Sequence, residues 1–299
     1  MAPEWLKISV VVPSYNQGRF LKETLSSALG RPGCHPEILL LDAGSRDETS
    51  QVIRRFEPHL AFWRSHADAG QAAAINEGFA RATGDVLCWL NSDDLHLPGT
   101  LQTVLERLRG RSGEALVLYG GCEVFRDGTE WRELRQAVPF DMRRLQVTDF
   151  IDQPSAFWTR KAWELAGPLD ESLHYAFDWD WFLRAAAAGA RFEAVPATLS
   201  RYRIHAAHKS ATGGERRRRE LLEVARRHSP PEIVSHYEWL ERHALARWWL
   251  NKRMRLAQGF SRFTDPKAAG ALADLCAPPF WPIRPPLRRE VFWEISGIR

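Results

Sequence analysis

The sequence predicts an α/β protein with a mostly parallel central sheet flanked by helices and a helical extension at its C-terminal end. Three observations predict it. An apolar strand pattern, a polar loop and an amphipathic helix follow one another four times in about the first hundred residues, the order of βαβ units. The strand candidates there run into loops of Ser, Asp, Asn and Gly. From about residue 211 this pattern gives way to charged helical segments and then to the proline-rich "APPFWPIRPPLRREVFW".

The elements are justified in chain order. "ISVVVPS", 8 to 14, is β-branched and stopped by Pro13, which predicts a short buried strand. "NQGRFLKETLSSALG" places Phe20, Leu21, Thr24, Leu25 and Ala28 on one helical face, with Gly30 as the stop. "EILLLDAGS" is a second strand and loop, and "RDETSQVIRRF" a helix with acidic residues in its first turn, where the helix dipole favours them. "HLAFWRS" is a third strand, "GQAAAINEGFARATG" a helix with Ile75, Phe79 and Ala82 inward, and "DVLCWL" a fourth strand. "PGTLQTVLERLRG" continues as helix, "EALVLYGGCEVF" and "DQPSAFWTR" as strands, "WDWFLRAAAAG" as a helix from near Asp178, and "TLSRYRIH" as a strand. "GGERRRRELLEVARRHS" and "PEIVSHYEWLERHALARWWLNKRMRLAQ" are helical. The expected organisation is a catalytic domain over 1–210 and a helical, proline-rich extension over 211–299.

Composition narrows the class. Hydrophobic residues make up 44% and charged residues 26% of 299, enough for a sizeable core. The 41 Lys and Arg are nearly matched by 37 Asp and Glu, so no concentrated basic character points to nucleic acid. Cys34, Cys88, Cys122 and Cys276 have no metal-type spacing and predict neither a disulfide framework nor a zinc site, which suits a reducing compartment. "MAPEWLKISVVVPSYN" lacks the long apolar core of a signal peptide, and no apolar run reaches membrane-span length. The expected location is cytoplasmic.

In parallel α/β sheets ligands gather beyond the carboxyl ends of the strands. Ser14 to Asn16, Asp42 to Ser45 and Asn91 to Asp94 all fall there. Within "GDVLCWLNSDDLHLPG", Asp93 and Asp94 stand side by side at the end of a buried strand. Two carboxylates in such a place repel each other and resist desolvation. Mg²⁺ or Mn²⁺ takes one or two carboxylates plus substrate phosphates, which would account for them. Capping of the helix that begins near Pro98, or simple solvation, is the alternative.

"ISVVVPSYNQGRFLKETLSSAL", "LLLDAGSRDET", "GQAAAINEGFARATGDVLCWLNSDD" and "AFDWDWFLR", in that order, resemble the family-2 glycosyltransferases, over about residues 6 to 208. The resemblance implies a Rossmann-like GT-A fold, a nucleotide-diphosphate sugar donor, a divalent metal (Mn²⁺ or Mg²⁺) and inversion at the anomeric carbon. It puts Pro13, Ser14 and Tyr15 against the nucleotide base and makes Asp42 the acidic partner of that base, with Ala43 where a second Asp is common. It makes "NSDD" the metal and ribose motif, with Asn91 replacing the first aspartate, Asp94 on the metal and Asp93 near the ribose. Asp68, Gln71 and Asn76 line the diphosphate or sugar pocket; Gln71 and Asn76 equally suit a helix surface. Asp178 matches the catalytic base, with Phe177 in place of a glutamate and Asp180 as the fallback; Asp178 also suits a helix N-cap. His205 matches a histidine that completes the metal shell, with His208 a weaker candidate, although a histidine after a strand is often structural.

Trp158 is a candidate platform for an acceptor sugar, whereas Phe157 and Trp163 are expected in the core. The resemblance implies a glycan or a lipid-linked glycan as acceptor, in cell-surface polysaccharide or lipopolysaccharide assembly. "ERRRRELLEVARR" presents a basic face that is either solvated or in peripheral contact with a membrane, which "RWWLNKRMRL" would extend. Two other readings remain open. A sugar-phosphate nucleotidyltransferase would show a glycine-rich basic loop after the first strand, where this chain has "VPSYNQGRF". A catalytically inactive nucleotide-sugar-binding or scaffold protein would fit the missing glutamate at Phe177. A dehydrogenase is disfavoured, because no G-x-G-x-x-G follows the first strand.

Overall fold

A computed structural model describes residues 6–30, 34–209 and 213–245. They divide into two compact units, one made of the described residues up to 141 together with 151–206, the other of 142–150 and the described residues from 207 on.

In the first unit β1 (Ile8–Ser14) lies between β2 (Glu37–Asp42) and β4 (Val86–Trp89), and β3 (Phe62–Ser65) flanks β2; all three pairings are parallel. α1 (Gly18–Ala28), α2 (Thr49–Phe56) and α3 (Gln71–Arg81) make the crossovers. Every residue of β1 and β4 is buried. Their uninterrupted apolar runs follow from helices covering both faces of such a sheet. α1 buries Phe20, Leu21, Thr24, Leu25 and Ala28, the face its periodicity predicts. Gly78 lets α3 approach the sheet closely: a Cβ there would stand 2.5 Å from Val11 Cγ1.

Beyond β4 the sheet becomes mixed. β8 (Ala156–Thr159) inserts antiparallel between β4 and β6 (Leu116–Arg126), and β6 pairs in parallel with the long β9 (Arg191–Ile204). The order is β3-β2-β1-β4-β8-β6-β9 and then β5 (Leu95–His96), with β7 (Arg132–Arg135) joined to β6. β5, β7, α5 (Met142–Leu145) and the helix of Arg160–Ala166 are additions to the elements expected from sequence. A two-residue strand such as β5 is too short to show periodicity; it exists because β9 offers Ser200 and Arg201 as antiparallel partners. α4 (Thr100–Leu108), α6 (Arg160–Ala166) and α7 (Phe177–Ala187) complete this unit.

In the second unit α8 (Gly214–His228) and α9 (Pro231–Arg242) bury Leu221, Val224, Ala225, Ile233, Tyr237 and Leu240. The Tyr237 hydroxyl donates to Val147 O at 2.7 Å, and Gln146 Nε2 to His228 O at 2.8 Å. The basic run of α8 is extensively paired: Arg216 with Glu220, Arg218 with Glu241 and Arg219 with Glu215. "RWWLNKRMRL" and the proline-rich end lie outside the described residues. Among the described residues no helix is long and apolar enough to cross a membrane.

One ionic cluster ties the strand starts to the end of α3. Glu37 accepts from Lys7 Nζ, Ser9 Oγ and Thr83 at 2.6–2.7 Å. Burial pushes its carboxyl up, but the hydrogen bonds from Lys7, Ser9 and Thr83 outweigh it and hold the pKa at about 2. The folded value lies below the unfolded value of about 4.3. This stabilisation is therefore complete above the unfolded pKa and is lost as pH falls toward 2. Glu37→Gln should cost about 1–3 kcal/mol at pH 7 and flatten the loss of urea resistance between about pH 4.5 and 2. An unchanged acid limb would contradict this assignment.

Candidate functional site

Sheet register builds one end of the site. Ser14 pairs with Asp42 and Asp42 with Ser65, so the carboxyl ends of β1, β2 and β3 stand in a row. Asp42 is buried, and Gly44 N, Ser45 N and Ser65 Oγ donate to its Oδ2 while Ser45 Oγ donates to its Oδ1. A carboxylate has about four acceptor sites, two per oxygen. Asp42 thus shapes the 42–45 loop and keeps acceptor capacity on Oδ1. Asn16, in the left-handed region at φ 52°, locks the first two loops together: its N–H donates to Ser45 Oγ and its Oδ1 accepts from Arg46 N. Pro13 is buried within β1, whereas Tyr15 is 61% exposed. Ser14 Oγ is buried with no hydrogen-bond partner. A buried orphan hydroxyl costs about 1–3 kcal/mol, and this one lies at the carboxyl edge of the sheet.

The end of β4 carries the second cluster. Thr24 Oγ1 lies 2.9 Å from both Ser92 O and Asp94 O and shares its one proton between them, fixing the loop from beneath. Asp94, expected on the metal, is 0% exposed; its Oδ1 accepts from Arg203 N at 3.0 Å and its Oδ2 from Asn91 Nδ2 at 3.2 Å. Burial, then the charge of Asp93, push its carboxyl well above the usual range, against the opposing pull of Arg203 and Asn91. Asp93, expected near the ribose, is the carboxylate that meets His205, with Oδ2 2.9 Å from Nε2. The two neighbouring aspartates therefore sit in different surroundings. Adjacent residues in the turn point apart, and only Asp93 retains partial exposure.

Asn91 is the hub of this end. Its Oδ1 accepts from Gln71 Nε2 at 2.8 Å, and its Nδ2 faces both Asp94 and Gln153 Oε1. Gln153 in turn donates to Trp89 O at 2.8 Å. Sequence reading missed Gln153, because nothing in "IDQPS" distinguishes it from an ordinary polar turn. Asp68 pairs with Arg64 at 3.0 Å and accepts from Gly70 N, so it holds the entry to α3. Asn76 faces away from this cluster: it binds the backbone of Leu169 and the carboxylate of Glu171.

α7 brings the third group. Phe177 packs on Trp89, ring centroids 5.9 Å apart, which sets the start of α7 beside the end of β4. Asp178 is partly exposed, and its Oδ1 accepts from Trp179 N. Asp180 is 2% exposed and bonded to Arg184 at 2.8 Å. Arg184 also binds the carbonyls of Ala166 and Pro168. Asp180 is thus committed to a structural pair, and Asp178, partly exposed, is the more accessible of the two carboxylates. Trp158, expected as an acceptor platform, is corrected: it is 0% exposed and packed among Phe79, Trp89 and Trp181. Its position on β8, an interior strand, leaves no face for a sugar.

The geometry is that of an α/β protein with polar loops and an acid–imidazole pair at the carboxyl edge of its sheet and a separate carboxylate at the start of α7. The family description "Glycosyl transferase family 2" matches residues 9–165, more than half of the chain. The chain belongs to that family. It is 29% identical over 182 residues to an uncharacterized glycosyltransferase of Mycobacterium tuberculosis, covering 60% of this chain and 68% of the relative. It is 24% identical over 205 residues to one from Rickettsia conorii, covering 65% of this chain and 34% of the relative. The chain thus spans about a third of that relative's length. Among solved structures it resembles a mannosyltransferase from Pyrobaculum calidifontis in complex with GDP-Man and Mn²⁺, with TM-score 0.59 and 20% identity over 100% of this chain and 87% of that one. S. aureus TarS 1-349 in complex with UDP-GlcNAc gives TM-score 0.56 and 16% identity over 97% and 90%. These likenesses establish the GT-A fold.

Proposed function

We propose that this protein is an inverting glycosyltransferase that moves a sugar from a nucleotide-diphosphate donor to a hydroxyl of a glycan or lipid-linked glycan, in cell-surface polysaccharide assembly. The observation that carries the reading is the Asp93–His205 pair at the carboxyl edge of the sheet, in the same row of loops as the orphan hydroxyl of Ser14. The bound donors of the two structural relatives, GDP-Man and UDP-GlcNAc, are the first compounds to try.

The donor set suits a hard cation. Among the described residues no three His, Cys, Asp or Glu side chains converge as a complete ligand set. Asp93 and His205 offer one carboxylate and one imidazole, and substrate phosphates commonly complete such sites. Mn²⁺ or Mg²⁺ held there would offset the charge that develops on the departing diphosphate. Asp93, rather than Asp94, takes that role, because Asp94 is fully buried while Asp93 keeps partial exposure beside His205.

The residues of this chain account for the rest of the transfer. Ser14, Tyr15 and Asp42 receive the base and its sugar. Asp178 accepts the proton of the acceptor hydroxyl as that oxygen attacks the anomeric carbon from the face opposite the diphosphate. A hydroxyl is a weak nucleophile near pH 7, and a positioned base typically contributes 10²–10⁴-fold. Holding donor and acceptor together removes part of the entropic barrier. A peripheral membrane contact would rely mainly on residues beyond α9, because the arginines of α8 are extensively paired with glutamates.

The test is a panel of nucleotide sugars with Mn²⁺, scored by thermal shift and by slow donor hydrolysis. One donor should raise Tm and be hydrolysed slowly without acceptor. Stabilisation with no hydrolysis and no transfer to any glycan acceptor would favour the inactive binding protein, a reading to which Phe177 lends support. Pyrophosphate release from a nucleoside triphosphate and a sugar phosphate would favour the nucleotidyltransferase.

A further inference from the structure

Arg203 lies on β9, two residues before His205, and is 5% exposed. Its Nε donates to Asp93 O at 2.9 Å, its Nη1 to Asp127 Oδ1 at 2.9 Å and its Nη2 to Glu23. Its backbone N–H donates to Asp94 Oδ1. The guanidinium sits over Phe20 and Phe125, 4.5 and 4.8 Å from their centroids, and the Phe20 ring also lies 4.7 Å from the His205 ring. One residue therefore holds the main chain of Asp93, the carboxylate of Asp94 and the aromatic neighbour of His205.

We propose that Arg203 is a positioning residue that sets the Asp93 carboxylate against the His205 imidazole, so that the pair is assembled before donor and cation arrive. The proposal rests on the reading of Asp93 and His205 given above. Glu23 and Asp127 alone would not explain a buried arginine, since they are 61% and 35% exposed and ion pairs at such positions contribute about 0–1 kcal/mol. The Asp93 carbonyl does explain it. That carbonyl fixes the peptide plane from which the Asp93 side chain departs, and Thr24 secures the carbonyls on either side of it. A rigid planar fork reaches three acceptors in fixed directions, which a lysine ammonium on a flexible stem does not.

The test is Mn²⁺ affinity, read from the free-ion electron paramagnetic resonance signal in the presence of UDP or GDP, on the full chain. Arg203→Lys and Arg203→Met should each weaken Mn²⁺ binding by about 10–100-fold, the usual effect of losing a residue that orients a metal ligand. Donor KM should rise and acceptor KM should not. Arg111→Met serves as control: it removes ion pairs to Glu114, in the loop after α4, and to Glu193, near the start of β9, and should lower Tm with Mn²⁺ affinity intact. Should the Arg203 variants fail to fold, the double substitution Glu23→Ala with Asp127→Ala removes two of the guanidinium's anchors at half-exposed positions, and affinity should still fall severalfold. Mn²⁺ affinity within twofold of wild type in every variant that folds, with only Tm reduced, would overturn the proposal and leave Arg203 a purely structural residue. Unchanged Mn²⁺ affinity in Asp93→Ala would instead overturn the underlying reading of the pair, and the role of Arg203 with it.

Discussion

Asp178→Asn is expected to lower kcat by about 10²–10⁴-fold, the range for loss of a positioned general base, while donor affinity stays within about twofold. Asparagine keeps the Oδ1 acceptor for Trp179 N and is as good as aspartate near a helix start, so the fold should not suffer. The substitution removes charge and basicity while keeping side-chain size and that acceptor. Initial rates at saturating donor and acceptor, with donor affinity by calorimetry, check this. Retention of more than a tenth of kcat would exclude Asp178 as the base. Asp180→Asn makes the contrast, since it breaks the buried pair with Arg184 that braces the carbonyls of Ala166 and Pro168. It should lower Tm clearly and kcat, measured well below Tm, only slightly.

Asp93→Ala is expected to reduce kcat/KM by about 10²–10³-fold, comparable to removing one group that stabilises transition-state charge, and to abolish measurable Mn²⁺ binding in the presence of nucleoside diphosphate. Raising Mn²⁺ should recover part of the rate, because His205 remains. Asp94→Asn should behave differently although the two aspartates are neighbours. Its amide would turn a donor toward Asn91 Nδ2, where Asp94 Oδ2 now accepts, so stability should fall while Mn²⁺ affinity stays within tenfold. Equal losses of Mn²⁺ affinity in the two variants would overturn the division of labour between them.

Much of this protein is legible in its residues. The β-branched run of β1, the 3.6-residue periodicity of α1 and α3 and the polar loops after each strand place Ser14, Asp42 and Asp93 at one edge before any coordinates are seen, because βαβ connectivity forces successive parallel strands to end on the same side. Residue spacing also separates Asp178 from Asp180, which stand two apart on a helix and face differently. What the spacing does not say is which of the two faces inward. That depends on Arg184 and on the carbonyls of the 166–168 turn.

The local pattern determined the parallel half of the sheet, its helices and the chemical character of the cleft edge, since each depends on neighbours a few residues away. Only the tertiary structure decided that β8 runs antiparallel through the sheet and buries Trp158, that Asp94 turns into the core while Asp93 meets His205, and that Arg203 joins them. The contacts of Asp93 and Asp94 with Arg203 and His205 span 109 to 112 residues. They arise from strand order and register, which bring together side chains whose pairing leaves no periodic trace along the chain.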